Sequence, residues 1–144
     1  MKKTTLIIIF LFVLVIFSFY YFKSNKKITI DTNITDKNSS IVVSSPVKDA
    51  EISSPLRISG RARGSWYFEG SFPVELVDQY GNTIASGNVS SQGEWMTEDF
   101  VPFLGTLQFN NYIKGQQGKL ILKKDNPSGL PENDKSIEIP ITFK

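Results

Sequence analysis

The chain has 144 residues and a formal net charge of +2, and it contains neither cysteine nor histidine. Their absence excludes thiolate nucleophiles, disulfides, histidine-dependent catalytic triads and the usual zinc sites. Six lysines and two aspartates precede residue 41, whereas ten cations meet twelve carboxylates from there on. The positive charge therefore belongs to the N-terminal segments and argues against nucleic-acid binding.

Residues 6–22 form an uncharged apolar run with lysines on both sides. As a helix this run spans about 26 Å, close to the roughly 30 Å of a bilayer's hydrocarbon core. A cleaved signal peptide has a shorter apolar region that ends at a small-x-small site, whereas this run ends in aromatic residues suited to the membrane interface. We therefore predict a transmembrane signal-anchor over residues 1–23 that contacts the lipid bilayer, with a cleaved signal and a buried soluble helix as the alternatives.

Residues 24–40 are rich in Asn, Ser and Thr, and their three isoleucines are too sparse to bury. This composition predicts a flexible stalk with a reach of roughly 20–25 Å. The lysine counts on the two sides of the apolar run are nearly equal, so they scarcely discriminate between the two orientations. Because the short basic start resembles a signal-anchor, we predict the N-terminus inside the cell and the remaining residues on the extracytoplasmic side.

From residue 41 onwards, short apolar runs are broken by turn residues about every 8 to 12 positions, which is typical of an all-β sandwich. We predict one domain of about seven to eight strands over residues 41–144. The predicted strands are 41–45 with 51–53, 56–63, 74–78, 83–89, 94–98, 105–110, 118–124 and 136–143. Pro140 lies within the last of these, which predicts an edge position or an outward-directed backbone nitrogen.

Large aromatic side chains are expected to fill the space between the sheets, because a sandwich without a disulfide needs bulky apolar groups there. Tyr67 has a predicted inward neighbour on each side, so it is expected to be exposed and is a candidate ligand contact. The predicted core residues are Trp66, Phe68, Phe72, Trp95, Phe100 and Phe103.

Three blocks of sequence, SPLRISGRARGSWYFEGSFPVEL, GEWMTEDFVPF and LILKKDNPSGLPEN, together resemble the bacterial spore-germination-associated immunoglobulin-like domain family. The resemblance implies an extracytoplasmic, immunoglobulin-like and non-enzymatic domain. Such domains often accompany a second germination-associated domain, and here a membrane segment takes its place. The likeness alone implies no role in sporulation.

Arg57, Arg61 and Arg63 lie on one face of the strand predicted over residues 56–63. Their backbone spacings are about 13 Å and about 6.6 Å. Guanidinium groups bind carboxylates and phosphates in a bidentate manner, so this stripe is a candidate site for an anionic envelope polymer or for lipid phosphates. The alternative is that Glu69, Glu75 or carboxylates of another strand pair with it.

Carboxylates in residues 94–99 and 125–134 offer the oxygen ligands that calcium prefers, with Asp99, Asp125 and Glu132 as candidates. Their spacing matches no known calcium loop, so turn capping is the favoured interpretation, and we expect neither a metal nor a cofactor.

The predicted function is that of a non-catalytic binding or adhesion module of the cell envelope. An outward sheet face or the loop over residues 124–134 would meet an unidentified envelope protein or polysaccharide. One alternative is a glycan hydrolase that uses Glu69 and Glu98, with Glu69 desolvated by aromatic neighbours. A second alternative is a purely structural spacer or assembly subunit.

Overall fold

The computed structural model describes residues 39–144, which form eight β-strands and two 3-10 helices, Gly64–Trp66 and Pro131–Asn133. The predicted transmembrane segment and nearly all of the stalk lie outside the described residues. No helix within residues 39–144 has the length and apolar character to span a bilayer. The strands are β1 Ile41–Ser45, β2 Ala50–Ile52, β3 Leu56–Arg63, β4 Ser71–Asp78, β5 Thr83–Ser91, β6 Phe100–Leu107, β7 Gln117–Lys123 and β8 Ser136–Phe143.

The alternating sequence of β3 gives the strand one buried face and one solvent-exposed face. Leu56, Ile58 and Ala62 are buried, whereas Arg57 and Arg61 are exposed. Successive side chains of a strand point to opposite sides, so this two-residue period decides which face enters the core. The prediction of a strand over these eight residues is confirmed with the same ends.

The strands are hydrogen-bonded in the order β1-β3-β6-β5-β4-β7-β8-β2. β1 and β2 stand at opposite ends of this order, although only residues 46–49 separate them in the chain. A flat sheet would place them about 33 Å apart at 4.7–4.9 Å per strand, whereas five residue steps reach at most about 18 Å. The sheet must therefore fold over, with β1 on β3 in one layer and β2 parallel to β8 in the other.

Phe72 lies at the centre of one end of the core. Its ring makes edge contacts with Trp66, Tyr67 and Phe103, with centroid distances of 5.6, 5.2 and 5.1 Å. Phe109, Tyr112 and Phe143 form a second aromatic group. Except for Val77, the buried hydrophobic residues of the strands belong to a single cluster, and none of the buried side chains in residues 39–144 is polar or charged.

The strand predicted over residues 94–98 is absent, and β6 begins at Phe100. The loop between β5 and β6 instead packs against Gly64, where an added Cβ would stand 2.0 Å from the Thr97 carbonyl oxygen and 2.2 Å from that of Trp95. The Thr97 amide also donates to the Trp95 carbonyl. Because the backbone groups of Trp95 and Thr97 make these loop contacts, residues 94–98 do not form a β-strand.

Pro140 does not place β8 at an edge, because β8 lies between β7 and β2. The Pro140 carbonyl accepts a hydrogen bond of 2.8 Å from the Asp49 amide, just before β2 begins. The nitrogen and carbonyl of one residue point to the same side of a strand, so the missing N–H also faces β2. The ladder between β7 and β8 is therefore preserved.

Candidate functional site

The outward face of β1, β3 and β6 is the candidate site, and strand register determines its composition. Arg57 pairs with Thr106, Arg61 with Pro102 and Arg63 with Phe100. Directly paired residues of antiparallel strands point to the same face. The arginines therefore share a surface with side chains of β6 and with Val42, which pairs with Arg61 from β1. We call this surface the arginine face.

Among residues 39–144, no carboxylate forms a salt bridge with any of the three arginines. All three salt bridges among residues 39–144 use lysine. Glu75, one of the expected partners, instead accepts hydrogen bonds from Lys123 and Thr83. These two bonds hold the pKa of Glu75 below its usual value. Glu69, the other expected partner, lies exposed in the turn before β4. The alternative that these glutamates pair with the stripe is therefore wrong.

The ring of Phe100 lies close to two of the three arginines, Arg61 and Arg63. The guanidinium carbon of Arg63 lies 4.3 Å from the centroid of its ring, and that of Arg61 lies 5.4 Å away. Arg63 also donates a hydrogen bond of 3.0 Å from Nη1 to the Glu98 carbonyl. A cation over an aromatic face is attracted by the ring quadrupole, so the ring restricts both side chains before any ligand arrives.

The expectation that Phe100 belongs to the core is wrong, because its side chain is half-buried on the arginine face. The inward positions of β6 are those of Val101, Phe103 and Leu107, which are buried. Sequence reasoning misjudged where this strand begins and so missed its two-residue alternation. The run from Phe100 to Leu107 carries that signal, since buried residues alternate there with more exposed ones.

Electrostatically, the arginine face differs from the remainder of the described chain. The strands β1, β3 and β6 contain three arginines and no carboxylate. Residues 39–144 otherwise contain seven lysines against twelve carboxylates. These arginines are also the only ones in the sequence, which uses lysine at its thirteen other cationic positions. The positive charge of this face is therefore a local feature on a body of net negative charge.

Tyr67 is buried, with 4 % of its surface exposed, so the prediction of an exposed ligand contact is wrong. Its hydroxyl donates a hydrogen bond of 2.7 Å to the Val101 carbonyl. Burial raises the pKa of Tyr67 to about 12. Tyr67 follows the 3-10 helix Gly64–Trp66, in which side chains do not alternate with a period of two. Trp66 and Tyr67 therefore both enter the core.

Phe68 is 42 % exposed, so its prediction as a core residue is also wrong. Its amide and carbonyl both bond to Ser71, which closes a tight turn through Glu69 and Gly70. The turn directs the Phe68 side chain away from the core. Trp95 is half-buried and packs against the edge of the core beside Gly70. The structure buries Trp66, Phe72 and Phe103.

The calcium candidates Asp99, Asp125 and Glu132 do not form a ligand set. Within residues 39–144, no group of three or more carboxylates is placed to hold a metal ion. In the loop after β7, the Asn126 side-chain amide donates to the Leu130 carbonyl and to Asp134. These polar groups therefore shape the loop itself, as turn residues do.

The loop over residues 124–134 borders an open groove at the side of β4, lined by Pro73, Lys123, Lys124, Asp125, Asn126 and Asp134, among other residues. Both positive and negative side chains line it. The groove therefore lacks the single-sign charge of the arginine face, and we place the candidate site on the latter.

The paired-acid alternative required a carboxyl group desolvated by aromatic rings. Glu69 is instead exposed, and so is Glu98. The Arg63 side chain donates to the backbone carbonyl of Glu98 and not to its carboxylate. No observation on these two residues supports the desolvated general acid on which this alternative depends.

Comparison with known proteins gives one positive result. No curated protein and no solved structure matches the chain. A family model described as the immunoglobulin-like domain of bacterial spore germination matches residues 40–129, from just before β1 into the loop after β7. This match spans more than half of the sequence and includes the arginine face. The chain therefore belongs to the family of immunoglobulin-like domains of bacterial spore germination.

Proposed function

We propose that this protein is a non-catalytic binding module of the bacterial cell envelope, which presents its arginine face to an anionic envelope partner. The observation that carries the proposal is the set of three arginines without a carboxylate partner in residues 39–144. An unneutralised guanidinium on a folded surface is free to form bidentate bonds to an anion.

The chemistry of the face favours a long or flat partner over a small molecule. The first and last arginines are six residue steps apart on one strand, or about 20 Å, and they lie on a sheet surface flanked by Pro102 and Thr106. Small-molecule sites are usually concave and surround most of their ligand. An extended polymer or a protein surface can contact all three arginines at once.

The sequence supports placing this module at the membrane. The uncharged run over residues 6–22 and its flanking lysines suit a signal-anchor, and the domain then stands on the extracytoplasmic side. Protease treatment of intact cells tests this placement. Degradation of the domain only after the cells are lysed would contradict it.

Binding is tested with the full chain in detergent and with washed envelope fractions in a sedimentation assay. Arg57→Gln, Arg61→Gln and Arg63→Gln, combined in one variant, should weaken binding at least tenfold. The matched control removes the same charge at Lys48, Lys114 and Lys135, which are exposed and outside the salt bridges of residues 39–144.

The control variant should bind within about twofold of the wild type. Equal losses in both variants would show that only net charge matters and would overturn the proposal. No sedimentation of the wild-type protein with any envelope fraction would instead favour the structural spacer.

A further inference from the structure

We infer that the arginine face takes a polyol phosphate polymer, that is, a chain of phosphodiesters joined by short polyol units, extended along β3. This inference rests on the proposed binding function and names the chemical class of the partner. It is carried by the spacing of the arginines, by the choice of arginine over lysine and by the absence of a carboxylate from β1, β3 and β6.

The outward positions of β3 form a regular series of donors. Residues 57, 59, 61 and 63 share the outward face and carry Arg, Ser, Arg and Arg. Alternate residues of a strand lie about 6.6 Å apart, so these four residues form a series with that period. If residue 57 is position zero, the arginines occupy positions zero, two and three. Ser59 occupies position one with a hydroxyl that can also donate a hydrogen bond.

A polyol phosphate chain can match this period. Successive phosphorus atoms joined through a three-carbon polyol are separated by six covalent bonds. A peptide advances about 3.3–3.6 Å for every three bonds when extended, so six bonds of similar length advance about 7 Å. Such a chain can offer one phosphodiester to each arginine and one to Ser59 without bending.

The choice of arginine fits a phosphodiester. Each guanidinium presents a planar fork of N–H groups to two oxygens of one anion, which a lysine ammonium cannot do. The guanidinium carbons of Arg61 and Arg63 lie 5.4 and 4.3 Å from the centroid of the Phe100 ring. Arg63 uses Nη1 for the Glu98 carbonyl, and its remaining N–H groups, like those of Arg61, can donate to an anion. The neighbouring half-buried apolar surface accommodates the carbon atoms between phosphates.

Two other polyanions fit less well. A polyuronate carries one carboxylate per sugar, and its backbone follows the ring, so its repeat is shorter than that of an extended six-bond unit. A single-stranded nucleic acid has a similar phosphate spacing but gains much of its affinity from bases stacked on aromatic rings. Phe100 on the arginine face is already covered by two guanidinium groups.

The test measures binding of the full chain in detergent to poly(glycerol phosphate) by calorimetry at several salt concentrations. Three phosphate contacts predict a slope of about −2 for log K against log salt, from roughly 0.7 per contact for a flexible strand. Each Arg→Gln substitution should reduce the magnitude of this slope by about 0.7. The variant lacking Lys48, Lys114 and Lys135 should keep the wild-type slope.

A relocation variant tests the period itself. Arg57→Gln alone should weaken binding about tenfold, and adding Ser59→Arg should restore it to within about threefold of the wild type, because three cations again occupy positions of one series. The control, Arg57→Gln with Gln79→Arg, restores the net charge at an exposed position of the turn between β4 and β5, outside the arginine face. Equal rescue by both second substitutions would overturn the spacing argument. Circular dichroism confirms that each variant is folded.

Other probes separate failure of this inference from failure of the proposed function. Polygalacturonate bound as tightly, with the same dependence on the arginines, would overturn the phosphodiester assignment and leave the binding function standing. Single-stranded oligothymidine bound as tightly would overturn the polyol assignment. Glycerol phosphate monomer bound as tightly would overturn the extended polymer. Arginine-dependent binding to none of these probes and to no envelope fraction would overturn both proposals.

Discussion

The indole nitrogen of Trp66 donates a hydrogen bond of 2.8 Å to the hydroxyl of Ser40, twenty-six positions earlier in the chain. The Arg63 amide bonds to the Ser40 carbonyl at 2.8 Å as well. Trp66 is 2 % exposed, so its N–H has no ready replacement partner. Ser40, which directly precedes β1, is therefore hydrogen-bonded to a buried side chain of the core.

Ser40→Ala should lower the free energy of unfolding by about 1–3 kcal/mol, because it leaves a buried donor without an acceptor. In a Trp66→Phe background, which lacks that donor, the same substitution should cost less than about 0.5 kcal/mol. Denaturant unfolding of the four proteins of this double-mutant cycle measures the coupling. Additive losses would show that the hydrogen bond is not formed in solution.

Tyr67→Phe should lower stability by about 1 kcal/mol at neutral pH, through loss of the bond to the Val101 carbonyl. Burial raises the pKa of Tyr67 from 10.0 to about 12, so the folded protein holds this proton more tightly than the unfolded chain. Its stabilising effect is complete below pH 10 and is lost as pH rises towards 12.

The stability difference between wild type and Tyr67→Phe should therefore shrink between pH 10 and pH 12. Denaturant unfolding at four or more pH values measures this trend. Because the other titrating groups are common to both proteins, their effects cancel in the difference. A difference that stays constant over this interval would contradict the assigned pKa.

Gly60→Ala should destabilise the domain by about 3 kcal/mol or more, because overpacking a tight contact forces the backbone to shift. An added Cβ would lie 2.2 Å from the Val42 carbonyl oxygen and 2.6 Å from the Phe103 ring. Gly93→Ala is the control, since nothing lies within 4 Å of its Cβ position. Thermal unfolding should show a large fall in Tm for the first variant only.

Glu69→Asn should raise the free energy of unfolding by about 0.5–1 kcal/mol, because Asn tolerates the left-handed region better than Glu does. Glu69 has a φ of 49° and is followed by Gly70 at 75°, so both central residues of the turn before β4 have positive φ. Glu69→Val is the opposite control and should be destabilising. If denaturant unfolding shows that the Glu69→Val variant is more stable than the Glu69→Asn variant, the turn geometry is contradicted.

Much of the all-β architecture could be predicted because a strand with one solvent-exposed face has alternating polar and apolar residues in its sequence, as β3 shows. The predictions for Tyr67 and Phe68 failed because the period of two is interrupted there. The 3-10 helix before Tyr67 and the turn after Phe68 exchanged the expected exposure of these two neighbours. The hydrophobic pattern of the sequence does not reveal either interruption, because Trp66, Tyr67 and Phe68 are all aromatic.

The arginine stripe itself could be predicted from its spacing, but its surroundings could not. That Phe100 lies beside Arg61 and Arg63 depends on the register between β3 and β6, which brings together residues almost forty positions apart in sequence. The pairing of Glu75 with Lys123 likewise joins residues on neighbouring strands that are distant in the chain. Local patterns contain no information on such partners.

The parallel pairing of β2 with β8 has a mechanical consequence for a domain that is pulled between its N-terminal side and Lys144. A load between that side and Lys144, once it reaches β2, draws β2 backwards and β8 forwards along their shared axis. Their backbone hydrogen bonds then resist shear together instead of opening one after another. The short ladder of Ala50–Ile52 thereby acts as a shear clamp, which the polymer binding proposed above would place under load.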